Sequence, residues 1–477
     1  MAPKKNIIKK LFYFVKGLIK WCFGSQSPVT NCNKKLQGKP IVTGSVSDRI
    51  LSNDKILKFL CFGYDFSEQT FRDVLLMLAK ASENRHNFSD PVKDDEVVNL
   101  LKQALVKSFQ EELSLADTSK IAIGVSGGFD SRCLYGALKK FYNAENIYSY
   151  TFGCPGQYDY EFIHKYGPRF LHNHLYFNIN YINWDIDSEV ARVQRLGIIA
   201  SYSVMAHVFV ILRDKGIDKC RIHGFMGDAL SGGARPFGAK GAVIDKWDDA
   251  INLFCKKNNR FKFQELFSHY ICLEKLLPDE PDLSIPGLDK YDLIDFGLRQ
   301  YQRIKMTGLK RDAHVIRPFS NLHCISTMLL LNNSSDREKG YFKLLKQEFP
   351  DIFPDLIETN ITNRIEYAMI VKQRINNQST QRLVNANKKY GLNYAIPLSQ
   401  SAHFCEWAAF HNNPSFKEMF LVLLKGIRQR KLFPVKLIDH IFSRFMQGST
   451  AERRVSAAQL AGLINLELNI RAGTIDI

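Results

Sequence analysis

Six consecutive residues combine glycine, hydroxyl and carboxylate groups in the order expected of an anion-binding turn. An apolar run at 121–125 precedes them and predicts a buried parallel strand, and apolar residues at helical spacing follow at 133–141. The N–H groups of such a turn and of the helix start can bind phosphate. The carboxylate repels phosphate, so its presence implies a bridging cation such as Mg²⁺. The residues are Ser126, Gly127, Gly128, Phe129, Asp130 and Ser131.

This turn differs from the Walker A loop, because no lysine stands where that loop requires one. It resembles the PP-loop, S-G-G-x-D-S, of the N-type ATP pyrophosphatases, and SGGFDS matches every fixed position. Those enzymes cleave ATP between the α and β phosphates and hold pyrophosphate in the loop. The resemblance therefore implies ATP and Mg²⁺ as cofactors.

A second glycine-rich turn at 223–233, HGFMGDALSGG, follows a short apolar strand. In an open parallel sheet, such turns meet at the carboxyl ends of the strands. Asp130 and Asp228 are therefore expected to share one Mg²⁺ ion, although a helix N-cap explains Asp228 equally well. His223, beside this turn, is the best candidate for a general base. A structural histidine at a strand end is the more common case.

Several segments, in matching order along the chain, resemble the synthetase domain of the asparagine synthetase family. The resemblance covers roughly residues 96–360; it is most specific in the PP-loop, moderate in the turn that carries Asp228 and weak at 147–162, 315–331 and 342–357. It implies that Asp130 and Asp228 bind metal and act in catalysis, and that backbone near Phe152 faces adenine. The residues implied to bind ATP and pyrophosphate are Val125, Ser126, Gly127, Gly128, Phe129, Ser131, Phe152 and Gly224.

The chain departs from the family pattern where the acceptor reacts. Phe225 and Ala229 occupy the positions of two glutamates, the first of which helps to accept the proton of the attacking amine in the family. The family's catalytic lysine has no clear counterpart, and Arg364 and Lys372 are the nearest cations. Asn321 replaces an aspartate of the P-F-x-D segment. We expect ATP and metal handling to be retained and acceptor chemistry to be altered or weakened.

The activity implied by the resemblance is ATP-dependent amide formation. A substrate carboxylate is adenylated with release of pyrophosphate, and ammonia or an amine then takes the acyl group and releases AMP. Free aspartate, a uronic-acid group of a surface glycan and a modified peptide all remain open as the carboxylate. The sequence leaves the oligomeric state open as well.

The start of the chain predicts that it does not hydrolyse glutamine. Glutamine-using members of the family carry a nucleophilic cysteine directly after Met1, whereas this chain begins Met1–Ala2–Pro3. Residues 58–71 resemble the end of the family's glutaminase domain, and the residues before them are too few to form that domain. Whether a separate glutaminase partner supplies ammonia stays open.

The chain has 477 residues and a net charge of +17. Positive charge is concentrated at its start, since residues 1–47 contain nine lysines and no acid. Residues 4–23 have lysines on one helical side and apolar residues on the other, which is typical of a helix on an anionic membrane surface. A helix docked on its own protein is the alternative. The sequence has no run of 18 apolar residues, no secretory signal and no C-x-x-C pair. We therefore expect reduced thiols, no zinc site, and a cytoplasmic protein, peripheral on the inner face of the membrane.

The predicted fold is α/β, with a parallel-sheet PP-loop domain and a largely helical C-terminal region. Strands and helices alternate from 146 to 238, with a single helix near 188–215, and the pattern beyond about residue 290 is mostly helical. The predicted regions are a basic amphipathic helix at 1–25, a linker and vestigial glutaminase-domain tail at 26–95, the PP-loop synthetase domain at 96–350 and the helical region at 351–477.

Two other functions compete with the ligase. The high positive charge fits a PP-loop tRNA-modifying enzyme, but thiolation needs a cysteine pair and lysidine-type synthetases lack the second glycine-rich turn. Nucleic acid is therefore not expected as a partner. The missing glutamate and lysine suit a family member that binds nucleotide at a membrane without catalysis.

Overall fold

The computed structural model describes most of the chain from residue 46 onward. By its contacts, Gly44–Ile477 forms one compact unit. The segment at 4–23, predicted to be a basic amphipathic helix, lies outside the described residues. The described residues are 46, 48–83, 94–155, 157–233, 235–236, 242–263, 273–301, 313–331, 334–361, 363–374 and 406–476.

A five-stranded parallel sheet lies at the centre of this unit. Its strands, in chain order, are β1 (Ile121–Gly124), β2 (Ile147–Gly153), β3 (Asn173–Asn178), β4 (Cys220–Ile222) and β5 (His314–Ile316). They are arranged in the order β3-β2-β1-β4-β5. Ile121 of β1 pairs with Ile147 of β2 on one side and with Cys220 of β4 on the other. The predicted α/β class with a parallel sheet is confirmed.

The strand order reverses at the centre of the sheet. From β1 the chain moves outward through β2 to β3, and it then returns to add β4 and β5 on the other side of β1. In a sheet wound this way, a crevice opens between the carboxyl ends of the two strands at the reversal, here β1 and β4. The two glycine-rich turns directly follow these two strands and therefore lie at the crevice.

Helices precede and connect the strands up to the second glycine-rich turn. They are α1 (Asp48–Leu51), α2 (Asp54–Phe62), α3 (Glu68–Ser82), α4 (Asp94–Leu113), α5 (Phe129–Phe141), α6 (Tyr158–Tyr166), α7 (Ile186–Leu196), α8 (Val204–Asp214) and α9 (Gly227–Leu230). Short 3-10 turns lie at Ala144–Asn146, Gly167–Arg169 and Ile179–Tyr181.

Beyond α9, the regular elements of the described residues are helices, the single strand β5 and short 3-10 turns at Leu273–Leu276 and Pro318–Ser320. These helices are α10 (Trp247–Asn258), α11 (Lys290–Ile294), α12 (Leu322–Leu329), α13 (Ser334–Glu348), α14 (Pro354–Thr359), α15 (Arg364–Tyr367), α16 (Glu406–Asn412), α17 (Pro414–Gln429), α18 (Val435–Gln447) and α19 (Thr450–Arg471). Two of them continue into π-helical turns, α11 at Asp295–Gln300 and α15 at Ala368–Lys372. Within the described residues, none of the helices combines the length and the apolar character needed to cross a bilayer.

Helix α4 holds the turn that follows β5. The Ser108 hydroxyl donates to the carbonyl of Pro318 at 3.2 Å, and the Arg317 N–H donates to Glu112 Oε2 at 3.0 Å. Strand β5 itself was not predicted. Three residues are too short for a strand period to be read from sequence, and β5 forms because β4 offers it a parallel edge.

The prediction of a single helix between β3 and β4 was wrong, since the structure has α7 and α8 there. Helix α7 ends at Leu196, and Gly197 caps it. Gly197 has a φ of 63°, in the left-handed region that glycine adopts without strain. The link to α8 is fixed by α19: Asn469 Oδ1 accepts from Ala200 N–H at 2.9 Å, and Asn465 Oδ1 accepts from Tyr202 N–H at 2.7 Å. The C-terminal helix is therefore built into the sheet domain.

Candidate active site

The S-G-G-F-D-S turn is closed by its own hydroxyl groups. Val125 extends β1, because its N–H donates to the carbonyl of Tyr150 at 2.8 Å. The Ser126 N–H donates to Ser131 Oγ and the Gly128 N–H to Ser126 Oγ, each at 3.1 Å. The two hydroxyl oxygens lie 3.1 Å apart. The serines thus shape the turn, a role that the sequence analysis did not give them.

Gly127 is required by close packing. A Cβ there would lie 2.6 Å from the Tyr158 ring and 3.0 Å from Phe162, so only glycine lets α6 approach the turn. The Gly127 N–H donates to Asp159 Oδ1 at 2.9 Å. The sequence predicted that the Gly127 N–H binds phosphate, but in the structure it donates to the Asp159 carboxylate. The sequence analysis missed Asp159, whose signal is its place in the first turn of α6, the helix that follows β2.

The second turn brings Asp228 against Asp130. Met226, with φ 72°, reverses the chain after β4, and α9 then begins at Gly227. A Cβ on Gly227 would lie 2.5 Å from Asp130 Cγ, and one on Gly224 would lie 3.2 Å from Asp130 Cβ. These two glycines leave the space that the Asp130 side chain fills. The structure therefore brings Asp130 and Asp228 together, as the strand order requires.

Arg364 is the cation of this cluster. Its Nη1 lies 2.5 Å from Asp228 Oδ1, and its Nη2 donates to Ser231 Oγ at 2.7 Å. Its Nη2 also lies 4.0 Å from Asp130 Oδ1, and its Nε lies 3.7 Å from Glu338 Oε1. The guanidinium therefore offsets part of the negative charge of three carboxylates.

Two local features place Arg364 there. A Cβ on Gly233 would collide with the guanidinium, so this glycine makes room for it. The side chain of Asn363 caps α15 by accepting from the N–H groups of Ile365 and Glu366, each at 3.0 Å. The sequence has no clear counterpart of the asparagine synthetase lysine, and Arg364 is one of the two cations nearest to where that lysine was expected. The other cation, Lys372, is the last residue of the π-helical turn that follows α15.

Burial and charge perturb the Asp130 carboxyl group. Its side chain is 17% exposed. Burial, followed by the charge of Asp228, raises the pKa of Asp130 to about 7, although Arg364 acts in the opposite direction. Tyr341 donates its hydroxyl to Asp130 Oδ1 at 3.0 Å, and burial raises the pKa of Tyr341 well above its ordinary value. The tyrosine therefore stays a hydrogen-bond donor.

The donor atoms of the cluster suit Mg²⁺. Asp130 and Asp228 offer hard carboxylate oxygens from two neighbouring turns, and Mg²⁺ commonly takes one or two carboxylates together with phosphate oxygens and water. In the part of the chain that the structure describes, no group of three or more His, Cys, Asp or Glu side chains could hold a metal alone. The two carboxylates fit a metal that takes its other ligands from elsewhere, and such a metal would share Asp228 with Arg364.

His223 and Phe152 lie at the carboxyl edge of the sheet, after β4 and near the end of β2. The His223 N–H donates to the carbonyl of Ile316 at 2.9 Å. Its ring lies 5.3 Å from Phe225 and 6.1 Å from Phe209. Phe152 pairs with Phe177 in the β2–β3 register. The roles of His223 as a base and of Phe152 near adenine stay predictions.

Arg132 was also missed by the sequence analysis. It follows Ser131 directly, it is fully buried, and it pairs with Asp355 of α14. Its position next to the S-G-G-F-D-S turn was a signal that it acts on the turn. Its partner Asp355 lies 223 residues away, and no local sequence pattern indicates that pairing. Arg132 links the loop to the segment that precedes Arg364.

The fold and the site define a class of protein: a parallel α/β sheet with a glycine–hydroxyl turn and paired carboxylates at its strand-order reversal. Comparison with known proteins adds no narrower assignment, since no family model matches the chain and no curated protein matches it.

Proposed function

We propose that the protein is an ATP-dependent carbon–nitrogen ligase of the asparagine synthetase type. It adenylates a substrate carboxylate and transfers the acyl group to ammonia or an amine. One observation carries the proposal: Asp130, Asp228 and Arg364 form a single cluster beside the S-G-G-F-D-S turn at the sheet reversal. A glycine turn alone suits many phosphate-binding proteins. A turn aspartate facing a second aspartate from the next strand suits metal-assisted cleavage of ATP.

The turn supplies the phosphate-binding part of the proposed site. Ser126 and Ser131 each accept a hydrogen bond from a turn N–H, so at least one hydroxyl proton is left for a further acceptor. Phe129 and Asp130 begin α5, where the first N–H groups of a helix have no partner within the helix. We expect the β and γ phosphates of ATP to bind here.

Asp130 and Asp228 are the proposed metal ligands. Mg²⁺, when bound, supplies positive charge that stabilises the leaving pyrophosphate. The guanidinium of Arg364 lies against the same carboxylates, and its planar donor groups match phosphate oxygens. Arg364 is therefore expected to contribute the positive charge that a lysine contributes in the asparagine synthetase family.

The chemistry consists of two substitutions. A carboxylate oxygen attacks the α phosphorus, the bond to the β-phosphate oxygen breaks, and pyrophosphate leaves. The nitrogen of ammonia or an amine then attacks the acyl carbon, and the bond to AMP breaks. The amine loses a proton in this second step, and His223 is the candidate base in place of the absent glutamate.

Pyrophosphate release from ATP and Mg²⁺ tests the proposal. We would assay the full chain with aspartate, a uronic-acid oligosaccharide and a carboxylate peptide, each with and without ammonium or an amine. We expect release that requires one of these carboxylates. Release that ignores every carboxylate and amine would contradict the ligase.

A non-catalytic nucleotide-binding protein is the second candidate. Phe225 and Ala229 favour it, because neither can accept the proton of an attacking amine. This candidate predicts saturable ATP binding without pyrophosphate release under any acceptor condition. Turnover with a single acceptor excludes it.

We also propose that residues 1–23 bring the protein to an anionic membrane surface. Their six lysines should contribute about 1 kcal/mol each near such a surface, so binding should weaken with salt. We expect the full chain, but not a variant lacking residues 1–23, to sediment with phosphatidylserine vesicles, and both to bind ATP equally. Vesicles of phosphatidylcholine alone are the control. Equal sedimentation of the two proteins with anionic vesicles would rule this out.

A further inference from the structure

Arg132 directly follows the S-G-G-F-D-S turn, yet its side chain lies behind the turn. Its Nε donates to the carbonyl of Gly128 at 3.2 Å, and its Nη2 donates to the carbonyl of Gly127 at 3.3 Å. We propose that Arg132 is a positioning residue, which holds these two carbonyl groups and so keeps the N–H groups of Gly128 and Phe129 on the side of the turn hydroxyls, where phosphate is proposed to bind. The inference rests on the proposed binding of ATP at this turn.

The geometry of the peptide unit explains this role. In a planar trans peptide, the C=O and the N–H of one unit point in opposite directions. Holding the carbonyl of Gly127 therefore directs the N–H of Gly128 away from Arg132, and the carbonyl of Gly128 does the same for the N–H of Phe129. The Gly128 N–H indeed donates to Ser126 Oγ, on the side of the turn hydroxyls. Phe129 is the first residue of α5.

The surroundings of Arg132 exclude direct contact with phosphate. The side chains of Arg132 and Asp355 are both fully buried, with N–O distances of 2.6 and 3.1 Å. The guanidinium carbon lies 4.4 Å from the ring centre of Phe162 and 4.3 Å from that of Phe353. A further bond runs to the carbonyl of Ile352 at 3.3 Å. The Nε, Nη1 and Nη2 atoms thus all donate to protein acceptors, and the side chain is fully buried.

The contacts of Arg132 also join the turn to Arg364. Asp355 belongs to α14, which precedes the α15 helix that begins at Arg364. A second link runs in parallel, because the hydroxyls of Tyr158 and Tyr367 lie 2.7 Å apart. Arg132 therefore fixes the turn relative to the segment that carries the cation of the site.

A double variant separates positioning from overall stability. Arg132→Met/Asp355→Leu replaces the buried ion pair by apolar groups of similar size, a change that often leaves stability unaltered. The matched control is Arg169→Met/Glu358→Leu, because this exposed pair also ties into α14. We would measure the melting temperature, the calorimetric affinities for inorganic pyrophosphate with Mg²⁺ and for AMP, and amide exchange of residues 125–131.

We expect the double variant to keep its melting temperature and AMP affinity, to bind pyrophosphate at least tenfold more weakly, and to exchange turn amides faster. The control should match the wild type. Faster exchange in a protein whose wild type binds no pyrophosphate would uphold the positioning role and refute the proposed function. Unchanged pyrophosphate affinity and exchange would overturn the inference. Parallel loss of AMP binding, pyrophosphate binding and melting temperature would also overturn it, since it marks a purely structural pair.

Discussion

The variants Asp130→Asn and Asp228→Asn are each expected to lose most pyrophosphate release while remaining folded. Asparagine keeps the shape of the side chain but removes the negative charge that a catalytic metal requires. The loss should reach at least the roughly 10²–10³-fold that follows removal of one transition-state contact. The two carboxylates come from different turns, after β1 and β4, and both lie beside Arg364, so each is expected to be needed for the metal.

A surface carboxylate provides the control for these variants. Asp439 pairs with Arg428 in the C-terminal helices and is 49% exposed, so Asp439→Asn should leave activity unchanged. Circular dichroism and melting temperature confirm that each variant is folded. Near-normal pyrophosphate release by Asp130→Asn or Asp228→Asn would show that the substituted residue is not a metal ligand.

The variant Arg364→Gln should lower pyrophosphate release by a similar factor of roughly 10²–10³. Glutamine retains a hydrogen-bond donor toward Ser231 but loses the positive charge between Asp228, Asp130 and the bound phosphates. Arg364→Lys should recover part of the rate, because a lysine supplies the charge without the paired donors of guanidinium. Initial rates at saturating ATP give the comparison.

A second substitution tests Arg364 without altering it. Gly233→Ala places a methyl group where the guanidinium lies and should reduce the rate in the same direction. Gly340→Ala, in α13, is the matched control, since a Cβ there lies 3.3 Å or more from its neighbours. If Arg364→Gln and Gly233→Ala both work at the wild-type rate, Arg364 has no part in catalysis.

The site elements that could be predicted from sequence are those in which local pattern and strand order suffice. The turn at 126–131 follows a buried apolar run and precedes a helical period, so its position at a strand end was readable. The position of Asp228 could be predicted in the same way, because a short apolar run, the strand β4, precedes its turn. A parallel sheet places both turns at one edge, and the adjacency of β1 and β4 then brings the two aspartates together.

The remaining contacts depend on distant partners that no local pattern reveals. Arg132 is held by Asp355, and Asp159 takes a turn N–H that looked available for phosphate. Arg364 could be named as a nearby cation, but its contact with Asp228 depends on the missing Cβ of Gly233. These contacts depend on how distant segments pack together, and the spacing of residues in the sequence does not predict that packing.

The identity of the products formed from ATP tests the central claim most directly. We would incubate the full chain with ATP, Mg²⁺, ammonium and the carboxylate panel, with ¹⁸O in the carboxyl groups, and follow the products by ³¹P NMR and mass spectrometry. The proposed ligase predicts equimolar AMP and pyrophosphate, with one ¹⁸O atom transferred from the carboxylate to AMP. ADP and inorganic phosphate, AMP without ¹⁸O, or ATP left intact with every acceptor would contradict it.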